Sequence, residues 1–382
     1  MIYLETNKIL SFPTLQQQLG LNSPLFTVKK KVDGGMGTCY MILDSQGNKY
    51  ALKMIHSELV SNEKAISRYL DEIKKWISFS SCDGIVEAIQ VVTVNELPAV
   101  VSKWMEGGDM RGIIKHIDKS TFYSCMDRII VSLKWVYDNY NTIHRDLKPG
   151  NILLDKDNLA YVGDWGLAKV LYSKLHPSSK NRLQNPKQLS DTQGFVGTIL
   201  YASPEQIMGK PDIDFRSDIY SLGCIMYEWE TGRPPFTGKT AQEIASSHIY
   251  SIPKRLGDFS KNTNFRAEDL ILKCLEKDPN KRYQSYEELL KNLRKLAHEQ
   301  CCDFRPFEVK EKYTPINIGY DEFSHKLIEQ KLKAVYSPNR NYALLEEKDI
   351  QAHLIEANTL ISVGEYEKAL KILKCFYIPD IS

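Results

Sequence analysis

The sequence of 382 residues predicts an α+β protein with a small β lobe, a larger and mainly helical lobe, and a helical C-terminal extension. Two patterns lead to this class. Short alternating apolar runs, separated by Gly, Asn and Asp turns, fill residues 25–105, as in an antiparallel sheet. Residues 106–298 instead carry apolar side chains at helical spacing. Strands that precede the helices along the chain, rather than alternating with them, are typical of α+β folds.

The β lobe is predicted to contain five antiparallel strands and one long helix. The helix covers residues 58–78, which lack glycine and repeat apolar residues at helical intervals. Residues 1–24 precede this lobe, and residues 105–109 are the predicted boundary with the helical lobe. The strands are expected at residues 26–32, 38–43, 49–55, 85–94 and 99–104.

The helical lobe is predicted to end at residue 298 and to be followed by a connecting extension over residues 299–349. Residues 350–382 then have a helix-turn-helix pattern around Gly364. A simple hairpin docked on the preceding lobe has the same pattern. Because a lone repeat cannot bury its own apolar face, we favour the start of a longer repeat array. The residues that resemble a single tetratricopeptide repeat are Ala357, Gly364, Tyr366, Ala369 and Phe376.

The composition argues against several classes of protein. Fifty Lys and Arg residues against 48 Asp and Glu give a net charge of +2, which does not support nucleic-acid binding or a polybasic membrane contact. The eight cysteines show no Cys-x-x-Cys or paired Cys/His pattern, which favours reduced thiols in a cytoplasmic protein. The N-terminal sequence does not resemble a signal peptide. No uncharged apolar run of about 18 residues predicts a membrane span.

The most informative stretch is residues 144–151, His-Arg-Asp-Leu-Lys-Pro-Gly-Asn. It places Asp146, Lys148 and Asn151 in one loop, and this combination suits phosphoryl transfer. A carboxylate accepts the proton of the incoming hydroxyl, an ammonium group neutralises phosphoryl charge, and a carboxamide oxygen binds a metal ion. Asp164, thirteen residues after Asn151, offers a second oxygen ligand for Mg²⁺.

These motifs resemble the protein kinase family, specifically its Ser/Thr branch and the bacterial members of the Hanks type. The resemblance covers residues 25–298 and implies a bilobal kinase fold that uses ATP with Mg²⁺ or Mn²⁺. It implies that Asp146 is the catalytic base and that Lys148 stabilises phosphoryl charge. Asn151 and Asp164 are implied to be the metal ligands. Thr198 together with Lys148 is the combination typical of Ser/Thr kinases, which implies Ser/Thr hydroxyls of proteins as substrates.

The resemblance also implies a nucleotide site in the β lobe. Lys53, in the strand Tyr50-Ala51-Leu52-Lys53, is expected to bridge the α- and β-phosphates and to pair with Glu72. Ser102 is at the gatekeeper position, next to the backbone that pairs with adenine, and its small size predicts an open back pocket. Further nucleotide contacts are expected at Ala51, Lys103, Met105 and Leu153. The glycine-rich loop comprises Val32, Asp33, Gly34, Gly35, Met36, Gly37, Thr38, Cys39 and Tyr40.

Three positions depart from the family pattern. Val32 replaces the first glycine of the loop, Cys39 replaces the valine after it, and Trp165 replaces the phenylalanine after Asp164. Trp165 is expected to keep the packing role of an aromatic side chain. An apolar side chain at position 32 is still able to pack on adenine.

The segment between Asp164 and Glu205 is long, and its middle, residues 174–187, is basic. It is either an ordinary solvated loop or a regulatory loop phosphorylated on Ser190 or Thr192. In the second case Arg145, next to the catalytic Asp, is expected to receive the phosphate. Two further contacts are expected to be architectural: an ion pair between Glu205 and Arg282, and an anchor from Asp218 to the backbone of the catalytic loop.

Two other functions compete with an active protein kinase. A pseudokinase scaffold that binds nucleotide and partners without catalysis is favoured by Val32 and Trp165, whereas the intact polar catalytic groups argue against it. A small-molecule phosphotransferase would share the catalytic Asp and Asn, but Lys148 and the Ala-Ser-Pro-Glu motif at residues 202–205 favour protein substrates. The repeat-like tail is expected to bind a protein partner.

Overall fold

The computed structural model describes residues 4–33, 37–55, 63–95, 97–165, 197–259, 265–302 and 305–310. Its first feature is a six-stranded antiparallel sheet in the order β1-β2-β3-β4-β6-β5. The strands are β1 (Ile9–Ser11), β2 (Leu25–Asp33), β3 (Gly37–Leu43), β4 (Lys49–Ile55), β5 (Ala88–Val94) and β6 (Leu97–Lys103). The five predicted strands are present, and the predicted count is one too low because β1 adds a strand from the N-terminal segment.

The N-terminal segment covers the outer face of this sheet. Ile9 and Ser11 pair with Thr27 and Leu25 of β2, while Leu10 between them is buried. A short helix, α1 (Pro13–Leu19), follows β1. The backbone amide at position 4 donates a hydrogen bond to the hydroxyl of a β3 tyrosine at 3.1 Å. The resulting outer core includes Leu4, Leu10, Phe12, Leu15, Phe26, Val28, Tyr40, Ile42 and Leu52.

The inner face of the sheet packs against the long helix α2 (Glu63–Phe79). The helix is amphipathic, as predicted, and its apolar stripe is buried because it faces the sheet and the second lobe. Trp76 anchors the stripe, since its indole N–H donates to the carbonyl of Val86 at 2.8 Å. The other fully buried members of the stripe are Ile66, Tyr69, Leu70 and Ile73.

The second lobe is mainly helical, as predicted, and holds a small three-stranded sheet beside the first lobe. Its strands are β7 (Gly108–Asp109), β8 (Ile152–Leu154) and β9 (Ala160–Val162). Its helices are α3 (Lys119–Tyr140), α4 (Pro204–Ile207), α5 (Arg216–Thr231), α6 (Ala241–Tyr250), α7 (Phe265–Cys274) and α8 (Tyr286–Glu299). Asp118 and Ser285 cap α3 and α8 by accepting from backbone N–H groups of the first turn.

A buried ion pair holds the base of the second lobe together. The guanidinium of Arg282 donates to the two carboxylate oxygens of Glu205 at 2.7 and 2.9 Å, and both side chains are nearly inaccessible to solvent. The predicted pairing of these residues is therefore confirmed. Arg282 also donates to the carbonyl groups of Arg216 and Glu276, so one guanidinium joins three segments of the lobe.

Several expectations fall on residues outside the described ranges. They concern Gly34, Gly35, Met36, Ser190, Thr192, most of the extension at residues 299–349 and the repeat-like hairpin at residues 350–382. None of the helices within the described ranges is both long enough and apolar enough to span a membrane.

His248 on α6 predicts an acid sensitivity of the fold. Its imidazole is buried, Nδ1 lies 2.9 Å from the Tyr220 hydroxyl, and the ammonium of Lys277 is close by. Burial, together with the positive charge of Lys277, lowers the pKa of His248 to about 3, against 6.5 in the unfolded chain. Between these two pKa values the unfolded chain binds the extra proton, so stability falls as the pH falls through this window.

Between pH 7 and 5, His248 is expected to remove about 2 kcal/mol of unfolding free energy. The variant His248→Asn keeps an acceptor for Tyr220 without a titrating group. Urea denaturation at both pH values is expected to show that the variant loses about 2 kcal/mol less unfolding free energy than the wild type. Equal losses in the two proteins would contradict the assignment.

Candidate active site

The loop that follows α3 holds the catalytic candidates, and its backbone is fixed from below by Asp218 on α5. The buried carboxylate of Asp218 accepts from the backbone N–H groups of His144 at 2.7 Å and Arg145 at 2.8 Å. The predicted anchoring role of Asp218 is confirmed by these contacts. Arg145 has φ of 69°, a conformation that costs energy in a non-glycine residue and is held here from both sides, because its carbonyl also accepts from Gln206 at 2.7 Å.

Four of the predicted catalytic and metal-binding side chains meet around Asp146. Lys148 Nζ donates to Asp146 Oδ2 at 2.8 Å and to Thr198 Oγ1 at 2.9 Å. Asn151 Nδ2 donates to the same Oδ2 at 2.8 Å and to the Asp146 carbonyl at 2.8 Å. Asp146 is 4% exposed, so the carboxylate that these groups share is buried. Since both donors bind Oδ2, Oδ1 is the oxygen placed to accept a proton from a substrate.

Lys53 on β4 reaches across the interface between the lobes and forms an ion pair with Asp164, which follows β9. Asp164 has a left-handed backbone with φ of 60°. The imidazole Nε2 of His144 lies 2.8 Å from the carbonyl of Gly163 and ties this turn to the catalytic loop. Lys53 and Asp164 thus place one positive and one negative group side by side at the interface between the lobes.

Trp165 is buried beneath α2 and is 1% exposed. Its ring packs edge-on against Phe79, with 5.1 Å between ring centroids, and against the imidazole of His144 at 4.8 Å. The expected packing role of this unusual tryptophan is confirmed. Because Trp165 points into the core, the preceding Asp164 faces the cleft between the lobes.

Helix α2 also carries a buried tyrosine that the sequence did not single out. Tyr69 is fully buried, and burial together with the negative charge of Asp164 raises its pKa. Glu72, the expected partner of Lys53, lies 3.3 Å from Lys75 on its own helix. Tyr69 lies one turn before Glu72, so the i, i+3 spacing was the signal that could have identified it.

The described part of the glycine-rich loop closes against β4. A Cβ atom at Gly37 would lie 2.2 Å from the Met54 carbonyl oxygen, so only glycine fits there. Cys39 is close to the charges of Lys53 and Asp164, and burial raises its thiol pKa to about 11, which keeps it protonated. The other described loop residues are Val32, which is 39% exposed, and Asp33, which accepts from the Thr38 hydroxyl at 3.2 Å.

Tyr40 was expected to contact the nucleotide, but its side chain does not face the cleft between the lobes. Successive strand residues point to opposite faces, and Cys39 faces the cleft. The side chain of Tyr40 is accordingly buried in the outer core, where its hydroxyl accepts from the Leu4 amide. The expectation for this side chain is corrected.

The segment that joins the lobes begins at Lys103, whose amide donates to the Glu87 carbonyl at 2.9 Å. Its own carbonyl and the backbone of Met105 are the groups expected to pair with adenine. Met105 is buried, and Leu153 lies half-buried on β8, within the small sheet of the second lobe. Ser102 pairs with Ala51 on β4 and with Ala88 on β5, so it has only small side chains as neighbours across the sheet.

The small gatekeeper leads to a prediction about nucleotide analogues. ATP analogues with a bulky N6 substituent, such as benzyl, are expected to bind the wild-type protein in competition with ATP. The matched variant Ser102→Met is expected to weaken analogue binding by about 10- to 100-fold, because forcing extra volume into a packed site costs about 1–3 kcal/mol. ATP affinity is expected to stay unchanged. If no analogue displaces ATP from the wild type in a competition assay, the pocket is closed.

A protein kinase domain model matches residues 26–293, which is more than half of the chain. The chain therefore belongs to the protein kinase family. The match ends within α8, so the extension from residue 299 lies outside it.

Curated relatives carry names of the Ser/Thr branch. A "Probable serine/threonine-protein kinase" of Clostridium perfringens is 30% identical over 273 residues, which is 70% of this chain and 37% of the relative. A similarly named protein of Clostridium acetobutylicum is 28% identical over 278 residues, 72% of this chain and 40% of the relative. "Serine/threonine-protein kinase PknB" of Mycolicibacterium smegmatis is 28% identical over 277 residues, 71% of this chain and 42% of the relative. The chain thus spans about two fifths of the length of these proteins.

Proposed function

We propose that this protein is an ATP-dependent protein serine/threonine kinase. The observation that carries the proposal is the contact of Lys148 with both Asp146 and Thr198, which joins the catalytic loop to the segment that precedes Glu205. This contact places an ammonium group between a base and the hydroxyl that the resemblance associates with Ser/Thr substrates. The names of the relatives support the same activity.

In the proposed reaction, the oxygen of a Ser or Thr hydroxyl bonds to the γ-phosphorus of ATP, and the bond to the bridging β–γ oxygen breaks to leave ADP. Asp146 Oδ1 accepts the hydroxyl proton. Lys148 stabilises charge on the moving phosphoryl group, and Lys53 holds the α- and β-phosphates. The buried setting of Asp146 strengthens these electrostatic interactions.

The donor set fits a divalent metal ion. The amide nitrogen of Asn151 donates to Asp146, so its amide oxygen is not used by that carboxylate and would be the atom that holds a metal ion. Asp164 supplies a carboxylate, and hard oxygen ligands of this kind suit Mg²⁺ or Mn²⁺. A bound ion would neutralise charge on the β- and γ-phosphates. Displacement of Lys53 from Asp164 by phosphate would leave the carboxylate to the metal.

The test is transfer of label from γ-labelled ATP in the presence of Mg²⁺ to the protein itself and to a mixed Ser/Thr protein substrate. Acid hydrolysis of the product is expected to yield labelled phosphoserine or phosphothreonine. The variant Asp146→Asn, purified in the same way, controls for a contaminating kinase. A wild type that binds ATP yet transfers no label would support the scaffold instead, and phosphotyrosine as the only product would contradict the Ser/Thr assignment.

We further propose that phosphate on Ser190 or Thr192 binds at Arg145. The support is a mainly polar cleft of about 230 Å³ whose lining includes Arg145, Lys75 and Glu72. Among the described residues, no carboxylate forms an ion pair with the guanidinium of Arg145, although Glu72 and Asp214 line the same cleft, so a phosphate would give this guanidinium a direct partner. Since Glu72 lies on α2 in the same cleft, a phosphate there would also compete with it for Lys75.

If a phosphate binds Arg145, phosphatase treatment is expected to lower the activity of the wild type. The same treatment is expected to leave the activity of Arg145→Met unchanged. The variant is expected to have the activity of the dephosphorylated wild type, because both lack the phosphate–guanidinium pair. Mass spectrometry identifies the modified residue. Full activity of a protein with Ser190, Thr192 and Thr198 all unmodified would refute the proposal.

For the rest of the chain, we propose that residues 350–382 begin a repeat array that binds a protein partner, with the kinase acting in the cytoplasm. The support is the sequence pattern around Gly364 and the cysteine usage. Binding of a partner by the full chain, and its loss when residues 350–382 are deleted, would test the first part.

A further inference from the structure

The chain turns back onto the kinase domain after its last helix. Residues 305–310, Arg-Pro-Phe-Glu-Val-Lys, have no regular secondary structure and contact α3, α8 and the loop at residues 80–87. The amide of Phe307 donates to Asp127 Oδ2 at 2.7 Å, and the amide of Lys310 donates to Asp83 Oδ1 at 3.2 Å. Val309 packs against the main core. These contacts fix the middle and the C-terminal end of the segment.

Asp127, the first of these anchors, is a buried carboxylate rather than a surface group. Its side chain is 1% exposed and pairs with Arg294 of α8 at 2.6 Å. Arg294 also donates to the Phe307 carbonyl at 3.4 Å. Phe307 therefore uses its amide and its carbonyl in one buried charged cluster, which makes residues 305–310 an integrated part of the domain.

The ring of Phe307 completes a sandwich around Arg128 of α3. The guanidinium carbon lies 4.0 Å from the Phe307 ring centroid and 4.7 Å from that of Tyr161 on β9. The same guanidinium donates to the carbonyl of Ala160 at 2.9 Å and to the carbonyl of Asp83. Arg128 thus joins α3, β9 and the 80–87 loop, and Phe307 covers its outer face.

The 80–87 loop packs closely against α3 and Phe307 at Gly84. A Cβ atom at Gly84 would lie 1.9 Å from the Ser132 hydroxyl and 3.2 Å from the Phe307 ring. The carbonyl of Gly84 accepts from the Val162 amide at 3.0 Å, and the Val162 carbonyl accepts from the Val86 amide at 3.0 Å. The loop and β9 therefore form one unit beneath Phe307.

The unit formed by the 80–87 loop and β9 is directly connected to residues of the candidate active site. Val162 lies two residues before Asp164, the partner of Lys53. On the other side, Val86 accepts the indole N–H of Trp76 near the end of α2, and Phe79 at that end packs on Trp165. These contacts link the loop to both Asp164 and α2.

We propose that residues 305–310 act as a clamp that positions Asp164 and α2 for phosphoryl transfer, with Phe307 as its positioning residue. Release of the clamp would lower the kinase rate. The effect on rate rests on the proposed kinase function, whereas the coupling of the clamp to the loop does not.

The test compares three full-length variants with the wild type. Phe307→Ala removes the ring, Phe307→Tyr restores it, and Glu308→Ala alters an exposed neighbour in the same segment as the matched control. Hydrogen exchange at the amides of Val86 and Val162 is expected to be about tenfold faster in Phe307→Ala, and close to wild type in the other two. The value of kcat is expected to fall about three- to tenfold in Phe307→Ala alone, with the KM for peptide unchanged.

Two outcomes would overturn the clamp. Unchanged exchange at both amides would show that Phe307 does not hold the loop. Faster exchange with an unchanged kcat would show that the loop does not position the active site. A wild type without kinase activity would instead count against the proposed function, and the exchange data would still decide whether Phe307 holds the loop.

Discussion

Replacing Asp146 by Asn is expected to lower kcat by about 10²- to 10⁴-fold, the usual contribution of a positioned general base. Asn keeps the size of the side chain and an oxygen that can accept from Lys148 and Asn151, so the loop should keep its shape. It lacks the basicity needed to take the hydroxyl proton. Steady-state kinetics with a Ser or Thr peptide, over a range of ATP concentrations, measures the loss.

The affinity for ATP distinguishes a catalytic effect of this substitution from a structural one. Asp146 contacts Lys148, Asn151 and the substrate hydroxyl, whereas the nucleotide is expected to lie on β-lobe residues and the segment from Lys103 to Met105. ATP affinity measured by calorimetry is therefore expected to stay within about twofold of the wild type, well under the 1.4 kcal/mol of a tenfold change. A variant that retains more than a tenth of the wild-type kcat would remove Asp146 from the role of base.

The second large effect is expected from breaking the buried ion pair between Glu205 and Arg282. Arg282→Met leaves the Glu205 carboxylate buried without its partner, and removal of one member of such a pair costs about 3–5 kcal/mol. Equilibrium denaturation in urea is expected to show this loss. Arg282 forms its hydrogen bonds with Glu205 and backbone carbonyl groups rather than with the cluster around Asp146, so the loss of stability is the primary effect of this substitution.

The double variant Glu205→Leu with Arg282→Met provides the control. It removes both charges, and it is expected to be more stable than Arg282→Met alone because no uncompensated charge remains. Burial disfavours ionisation of Glu205, but hydrogen bonding to Arg282 outweighs it and leaves the Glu205 pKa below its usual value. A group with a lowered pKa contributes stability at neutral pH and loses it as the pH falls below about 4.5. Equal stability of the single variant and the wild type would refute the assignment.

The polar groups of the site could be predicted because they lie close together in the sequence. Asp146, Lys148 and Asn151 share one loop, and the structure brings them to one carboxylate. The strands of the sheet were visible for a similar reason, since alternation is a local pattern. The partners of Asp218 and Arg282 followed from the resemblance to a known family and were confirmed.

The features that were missed depend on contacts between distant segments. Strand β1 has three residues, too few to show a period, and forms because β2 offers an edge. The clamp depends on Arg128 meeting Phe307, which no local pattern signals. The orientation of Tyr40, in contrast, could have been predicted from a local pattern. Neighbouring strand residues point to opposite faces, so a cleft-facing Cys39 places the side chain of Tyr40 on the outer face of the sheet.

The outer core has a practical consequence for expression of the catalytic domain. The family match begins at residue 26, but Leu10, Phe12 and Leu15 cover the outer face of the sheet. A protein that starts at residue 25 would lack β1 and α1. Phe26, Tyr40 and Ile42 on the outer face of the sheet would then be exposed to water, and the edge of β2 that pairs with β1 would be open. Exposed apolar surface beside an open strand edge promotes self-association, so the boundaries of the family match are not the boundaries of the soluble folding unit.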